Sequence, residues 1–404
     1  MTWSVRHASA RPLGEEPAAT HSVAAGNVVF VSGCTGSGAR VEDQVELALE
    51  KARRALEAVG SRMDNVVKSF FLLTELSDYG SVRRSETEFY EQNAPQLVTT
   101  PPAATLMVVP SLGRPGVRVQ YEVIAALDRD MPGWGVTYFP EHWAGKELAY
   151  PHVPKEHAKF ARSQSIGNLL VVSGCQALDH ETVRVESSDF AEQARIVLDK
   201  VKVALEDAGA SLAELVKTTV FVKDPHALTA YREVESAFFR AQASDLVAGP
   251  PASSAFVVTE LPRPEFLIEV EAFAVAKPDV PGWRVRRLPG TAQAAESATA
   301  GRLVFLSAVH GVAGDSPIEA ELAAALDEVG EALARAGSDV NRMLKITLAL
   351  RDADVYAQVQ SALAAYYRAQ APRLVEAPPA TTFMQVPAIV PSGARLQLDV
   401  IAVT

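Results

Sequence analysis

One pattern occurs three times in this chain, in register. Gly26-Asn27-Val28-Val29-Phe30-Val31-Ser32-Gly33-Cys34 recurs as Gly167-Asn168-Leu169-Leu170-Val171-Val172-Ser173-Gly174-Cys175. It returns as Gly301-Arg302-Leu303-Val304-Phe305-Leu306-Ser307-Ala308-Val309. Each is a turn glycine followed by an apolar, β-branched run ending in Ser, the pattern of a buried strand. Gly60, Gly209 and Gly337 each end an apolar-periodic helix. A lysine follows each glycine by 8 residues (Lys68, Lys217, Lys345), and a Pro-Ala pair follows each lysine by 34 (Pro102, Pro251, Pro379). An acid comes 20 residues later, at Glu122, Glu271 and Asp399, so the interval from glycine to acid is 62 residues in every copy. A spacing held that long without insertion means one fold repeated three times.

Length varies elsewhere. From Ser to the helix-ending Gly the copies take 28, 36 and 30 residues, so 33–43, 174–190 and 308–318 are variable loops, where specificity tends to lie. Met131-Pro132-Gly133-Trp134 and Val280-Pro281-Gly282-Trp283 mark turns between copies and place the units at 1–130, 131–279 and 280–404. The stretch 135–165 reads as an elaborated first strand or arm. Within copy 1, Val45, Leu49, Ala52 and Leu56 predict a helix over 42–59. A strand over 66–73, a helix over 79–92 and a closing hairpin of strands 103–109 and 117–126 follow. The order β-β-α-β-α-β-β gives an α+β unit with two helices on one sheet face. Three bare faces in one chain predict closure into a pseudo-three-fold barrel with helices outside.

Composition narrows the function. With 38 Lys and Arg against 49 Asp and Glu, the 404-residue chain carries −11, which disfavours nucleic acid and anionic membranes. No apolar run is long enough to span a bilayer, and the N-terminal residues do not read as a secretory signal, so a cytoplasmic protein is expected. Two cysteines make no disulfide framework. Metal-binding and nucleotide-binding motifs are absent, and His142, His152 and His157 fit no usual metal spacing. No metal and no cofactor are expected.

The repeat resembles the RidA (YjgF) family of reactive-intermediate deaminases. The resemblance rests on Phe30-Val31-Ser32-Gly33, Val171-Val172-Ser173-Gly174, Leu215-Val216-Lys217-Thr218-Thr219-Val220-Phe221-Val222-Lys223-Asp224, and Pro251-Ala252 followed by Leu267-Ile268-Glu269-Val270-Glu271-Ala272-Phe273-Ala274. It implies a chorismate-mutase-like fold, an intrachain pseudo-trimer open to further oligomerisation, and small-molecule substrates held in clefts between units. It implies a carboxylate-binding Arg just after Pro-Ala, yet that position is Ala104, Ser253 and Thr381 here. The family acid thought to activate water aligns with Gln120, Glu269 and Gln397, so copy 2 alone keeps it.

Strand alternation puts Arg118, Gln120 and Glu122 on one face, as it does Leu267, Glu269 and Glu271, and Arg395, Gln397 and Asp399. Arg118 and Arg395 either replace the missing arginine or pair with Glu122 and Asp399 on the same strands. Glu269 beside Glu271 is the general acid/base candidate, its pKa raised by burial and like charge. Cys34 and Cys175 are candidate thiolates, with His180 and His310 nearby in sequence, or small buried residues. Ser32, Gly33, Ser173 and Gly174 are expected to orient the ligand. Ser32, Ser173 and Ser307 with Lys68, Lys217 and Lys345 also permit a Ser–Lys amidohydrolase like the triplicated cyanuric acid hydrolases. The leading expectation is a diverged enzyme acting on a small carbonyl, imine or enamine metabolite by acid/base hydrolysis or rearrangement at an inter-repeat cleft. Its rival is a non-catalytic ligand-binding or assembly protein with degenerate clefts.

Overall fold

The computed structural model describes residues 3–10, 20–141, 160–179, 182, 184–311, 314, 316–390 and 393–404. The helix expected over 42–59 runs Val41–Val59 and buries Val45, Ala48, Leu49, Ala52 and Leu56 on one stripe. It stops at Gly60, whose φ of 90° is open to glycine at little cost. Phe190–Asp207 and Ile318–Arg335 are its counterparts, and Gly209 and Gly337 follow them with φ of 78° and 82°. The second helices are Tyr79–Asn93, Ala227–Gln242 and Tyr356–Gln370.

The expected closing hairpin does not form. Ala103–Val108 pairs in parallel with Val66–Leu73, and Val119–Ala126 lies on the other side of Val66–Leu73, antiparallel to it. Val66–Leu73 is buried on both faces, the mark of a central strand, and its parallel neighbour is reached through the Tyr79–Asn93 crossover helix. The same order recurs in copies 2 and 3.

Nor do the ladders close into a barrel. Copies 1 and 2 share a twelve-stranded sheet joined at one parallel pair, Ala103 with Ala161; copy 3 has a seven-stranded sheet that pairs with copy 2 only at the equivalent parallel bridge, Ala252 with Ala295. At every seam the hydroxyl of the repeated Ser takes the backbone N–H next along the strand, so pairing goes no further than that step. Ser173 Oγ takes the N–H of Ala104 at 2.9 Å, Ser307 Oγ that of Ser253 at 2.9 Å, and Ser32 Oγ that of Thr381 at 3.0 Å. Three equivalent seams result, between copies 1 and 2, 2 and 3, and 3 and 1.

The bare faces do meet one another. Val28, Phe30, Val67, Ile124, Leu169, Val171, Val216, Phe273, Leu303, Phe305, Leu344 and Ile401 form one core drawn from all three copies. Trp134 and Trp283 of the Pro-Gly-Trp links pack edge-on or tilted against Trp3 and each other, their centroids 4.8 to 6.1 Å apart, so Trp3 is the third member of a set of which the sequence pattern displayed two. Among the described residues no helix is long and apolar enough to cross a membrane.

Candidate functional site

At each seam, one copy offers its second helix and the strand after Pro-Ala. The next copy offers the Ser strand and the strand carrying residue 120, 269 or 397. Register shifts at Ser32-Gly33 and opposite Ser173-Gly174 bend these strands. Bulges of this kind re-aim side chains next to binding sites. The serines are consumed by the seam: Ser173 Oγ also donates to the Ala161 carbonyl. They therefore fasten copies together instead of presenting a free hydroxyl. No Ser–Lys dyad forms from them, because Lys68 is bound to Glu271 (2.8 Å) and Thr105, and Lys217 to Asp399 (2.6 Å) and Ser254.

Glu122 and Glu271, expected at the ligand, are taken up the same way, with Lys345 and Lys68 as partners. These pairs line a small central chamber of about 70 Å³. Arg118 and Arg395 bind neither Glu122 nor Asp399. Arg118 meets Asp78 and Glu75, and Arg395 meets Glu321 at 2.8 Å. Both sit on the strand entrance and pair with the helix side, so they do not replace the missing arginine.

Glu269 lies in the first seam, fully buried. Gly174 makes its room, since a Cβ there would stand 1.8 Å from Glu269 Oε1. Neither carboxyl oxygen makes a well-formed hydrogen bond among the described residues, the Gln176 side chain offering only a weak one. Burial pushes its pKa up to about 8, against a weaker pull from Gln176 and Lys68; Glu271 contributes least, because Lys68 already holds it. Gly174→Ala is expected to force Glu269 off its rotamer and destabilise the protein by about 1–3 kcal/mol, read as a lowered midpoint in urea. An unchanged midpoint would mean the carboxyl has room to move.

The cysteines are poor nucleophiles. Cys34 is buried, its Sγ 3.3 Å from the Ser32 carbonyl. Burial, with the Glu141 charge, pushes the Cys175 thiol up to about 12, so the thiolate is scarce at neutral pH. His142, His152, His157 and His180 lie outside the described residues. Among the described residues no group of three or more His, Cys, Asp and Glu is placed to hold a metal.

The second seam opens into a cleft of about 470 Å³ whose lining includes Arg232, Ser253, Ser307, Ala308 and His310. Arg232 comes from the second helix of copy 2. Its Nη2 donates to Ser253 Oγ at 2.9 Å, and its Nη1 to Glu235 at 2.7 Å. Ser253 is the residue just after Pro-Ala, so a guanidinium reaches that position from the helix. His310 Nε2 lies 3.2 Å from Gln397 Oε1, and Gln397 Nε2 donates to the Ala255 carbonyl at 3.1 Å. That carbonyl fixes which way the Gln397 amide points, so the network assigns the His310 proton to Nε2 and leaves Nδ1 bare. Burial lowers the His310 pKa below 6.5, keeping the ring neutral at pH 7.

The other seams are tighter. In the first, Arg83 pairs with Glu86 beside Ala104, around a hollow of about 30 Å³. In the third, Gln360 stands at the arginine's place, and Tyr356 packs edge-on against Phe383 at 4.6 Å.

A family model described as endoribonuclease L-PSP matches residues 14–127, 151–276 and 291–404. The chain belongs to the RidA family. It carries three RidA copies in one polypeptide, where each of the following relatives spans about one of them. A RutC family protein of Pyrococcus abyssi is 36% identical over 130 residues, which cover 32% of this chain and 96% of that protein. The 2-iminobutanoate/2-iminopropanoate deaminase of Escherichia coli is 35% identical over 132 residues, covering 33% of this chain and 98% of the relative. The solved structure of the Escherichia coli YjgF gene product is 35% identical, covers 33% of this chain and 99% of its own, and has a TM-score of 0.28. Against its RidA resemblance, the chain has lost the strand arginine three times, and the helix arginines Arg83 and Arg232 escaped the sequence reading. The 62-residue frame could have flagged them, since Arg83, Arg232 and Gln360 all fall 23 residues after the helix-ending glycine. Nothing in one sequence says that a helix side chain reaches the strand.

Proposed function

We propose that this protein is a diverged RidA-superfamily enzyme that hydrolyses an imine or enamine bearing a carboxylate, and that the second seam is its working cleft. The observation that carries the reading is the Arg232 contact with Ser253. It delivers a planar, bidentate carboxylate anchor to the place where the resemblance expects one. The substrate carboxylate binds Arg232, whose remaining N–H donors are not used by Glu235 and Ser253. His310 Nδ1 takes a proton from water, and the hydroxide adds to the imine carbon. The same ring returns that proton to nitrogen, giving a carbinolamine; it then takes the hydroxyl proton and passes it to the amine as the C–N bond breaks and C=O forms, so ammonia and a 2-oxo acid leave.

The test is turnover of freshly generated 2-imino acids by the wild type, His310→Ala and Glu269→Gln. His310→Ala is expected to lose about 10²–10⁴-fold in kcat, the usual range for a positioned acid/base. Glu269→Gln is expected to stay within a few-fold of wild type. Because the base must be unprotonated, kcat/KM is expected to rise with pH through an inflection below 6.5 and then level. The poorly partnered carboxyl of Glu269 favours a second reading, catalysis in the first seam with Arg83 as anchor. Loss of turnover in Glu269→Gln with full activity in His310→Ala would select it. Saturable binding of 2-oxo acids without any turnover would make the protein a binder.

A further inference from the structure

The second seam is larger than a three- or four-carbon imino acid requires. Its roughly 470 Å³ lies within the ~300–1,000 Å³ of pockets that hold drug-sized ligands. It also has a continuation. A second hollow of about 400 Å³ shares Arg232 and Gln293 with the first and runs along Phe239, Leu246, Val247 and Pro250. Arg232 and Gln293 therefore form a neck between two chambers. Gln293 is held on the copy 3 side by the turn Thr291–Ala294, closed by the Thr291 N–H on the Ala294 carbonyl at 2.8 Å and by Thr291 Oγ1 receiving the N–H of Gln293 at 3.2 Å. Val247 is 38% exposed, an apolar side chain left open to water along this strip. Arg240 lines the same hollow beyond it, with only Ser236 Oγ as a partner at 3.4 Å and no carboxylate within ion-pair distance among the described residues. Glu233, on the same wall, carries the opposite charge.

We infer that the substrate is an elongated 2-imino acid, with its reacting head at Arg232 and His310, an apolar stem that passes the Arg232–Gln293 neck to lie on Leu246 and Val247, and an anionic end at Arg240. The inference rests on the second seam being the working cleft. Copies 1 and 3 do not repeat the arrangement: Arg240 stands at the place of Glu91 in copy 1, and the Arg232 position is Gln360 in copy 3.

The products are stable, so 2-oxo acids serve as probes. Calorimetry would compare 2-oxobutanoate, 2-oxohexanoate, 2-oxooctanoate and 2-oxooctanedioate on the whole chain. Affinity is expected to rise about three- to fourfold for each methylene that enters the strip, and 2-oxooctanedioate to bind several-fold more tightly than 2-oxooctanoate. Arg240→Ala should abolish that last gain alone. Gln293→Trp should weaken the long acids at least tenfold and spare 2-oxobutanoate. Val247→Asp, at an exposed position that does not threaten folding, should do the same. A flat length series, with 2-oxobutanoate still bound and weakened by Arg232→Lys, would overturn the elongated substrate and leave the cleft reading standing. No binding of any acid would overturn both.

Discussion

Replacing Glu269 by Gln is expected to stabilise the protein at pH 8 by on the order of 4 kcal/mol and to change little near pH 4. The carboxyl is fully buried with neither oxygen in a well-formed hydrogen bond, and its pKa is held up to about 8, against 4.5 when exposed. The folded protein therefore keeps a proton that the unfolded chain releases between those two values. Stability from this group is fully present below about pH 4.5 and declines as pH rises to 8, by about 1.4 kcal/mol per unit. The other two seams show what an amide does at the same place. Gln120 Nε2 donates to the Phe383 carbonyl at 3.2 Å, and Gln397 Nε2 to that of Ala255 at 3.1 Å. A carboxylate has no proton to offer such a carbonyl, whereas glutamine offers one at every pH. Urea unfolding of both proteins from pH 4.5 to 8 checks this. Two curves that stay parallel across that range would show that Glu269 ionises in the fold as easily as in water.

The repeat, the helices and the central strand were legible because they depend on local pattern and on spacing that the chain states three times. Val66–Leu73 reads as a strand from its own residues, and Gly60 stops a helix wherever that helix packs. Pairing was less legible. Strands Ala103–Val108 and Val119–Ala126 flank a Pro/Gly-rich turn like a hairpin, yet a third strand inserts between them, and only burial on both its faces hints at that. The site divided along the same line. Position 269 stood out because it differs from its counterparts. Arg232 did not, because its role arises from a helix projecting onto a neighbouring strand, a contact with no sequence period. The serines misled for a related reason: a hydroxyl held at one position in three copies suggests chemistry, but here it terminates a ladder. The three seams also show what fusion permits. A homotrimer must keep each group in every cleft, whereas this chain pairs a buried acid with a tight seam, an imidazole with an open one, and aromatic filling with the third.

Lys217→Met is expected to destabilise the protein by about 3–5 kcal/mol, the range for removing one partner of a buried ion pair. Lys217 is 2% exposed; it pairs with Asp399 at 2.6 Å, donates to Ser254 Oγ at 2.8 Å, and reaches the Leu306 carbonyl. Asp399 and Leu306 belong to copy 3, so removing the ammonium strands a carboxylate across a seam. The same bond recurs around the central chamber, Lys68 with Glu271 at 2.8 Å and Lys345 with Glu122 at 2.7 Å. In each case the lysine of one copy meets the acid of the next; Thr105 and Thr382 bridge the Lys68 and Lys345 pairs, and Ser254 accepts from Lys217 in the other. This explains the 54-residue interval from lysine to acid that all three copies share. If the two paired within a copy, each copy could shift its register alone. Because each pairs with a neighbour, a shift in one copy would break two seams at once. Asp399→Asn in the Lys217→Met background is expected to recover most of the loss, since an amide is far cheaper to bury than an unpaired charge. Denaturant unfolding of the two single variants and the double variant measures the coupling. A loss below about 1 kcal/mol for Lys217→Met, or additive losses in the double variant, would show that apolar packing of the three copies, and not the ion pairs, holds the seams in register.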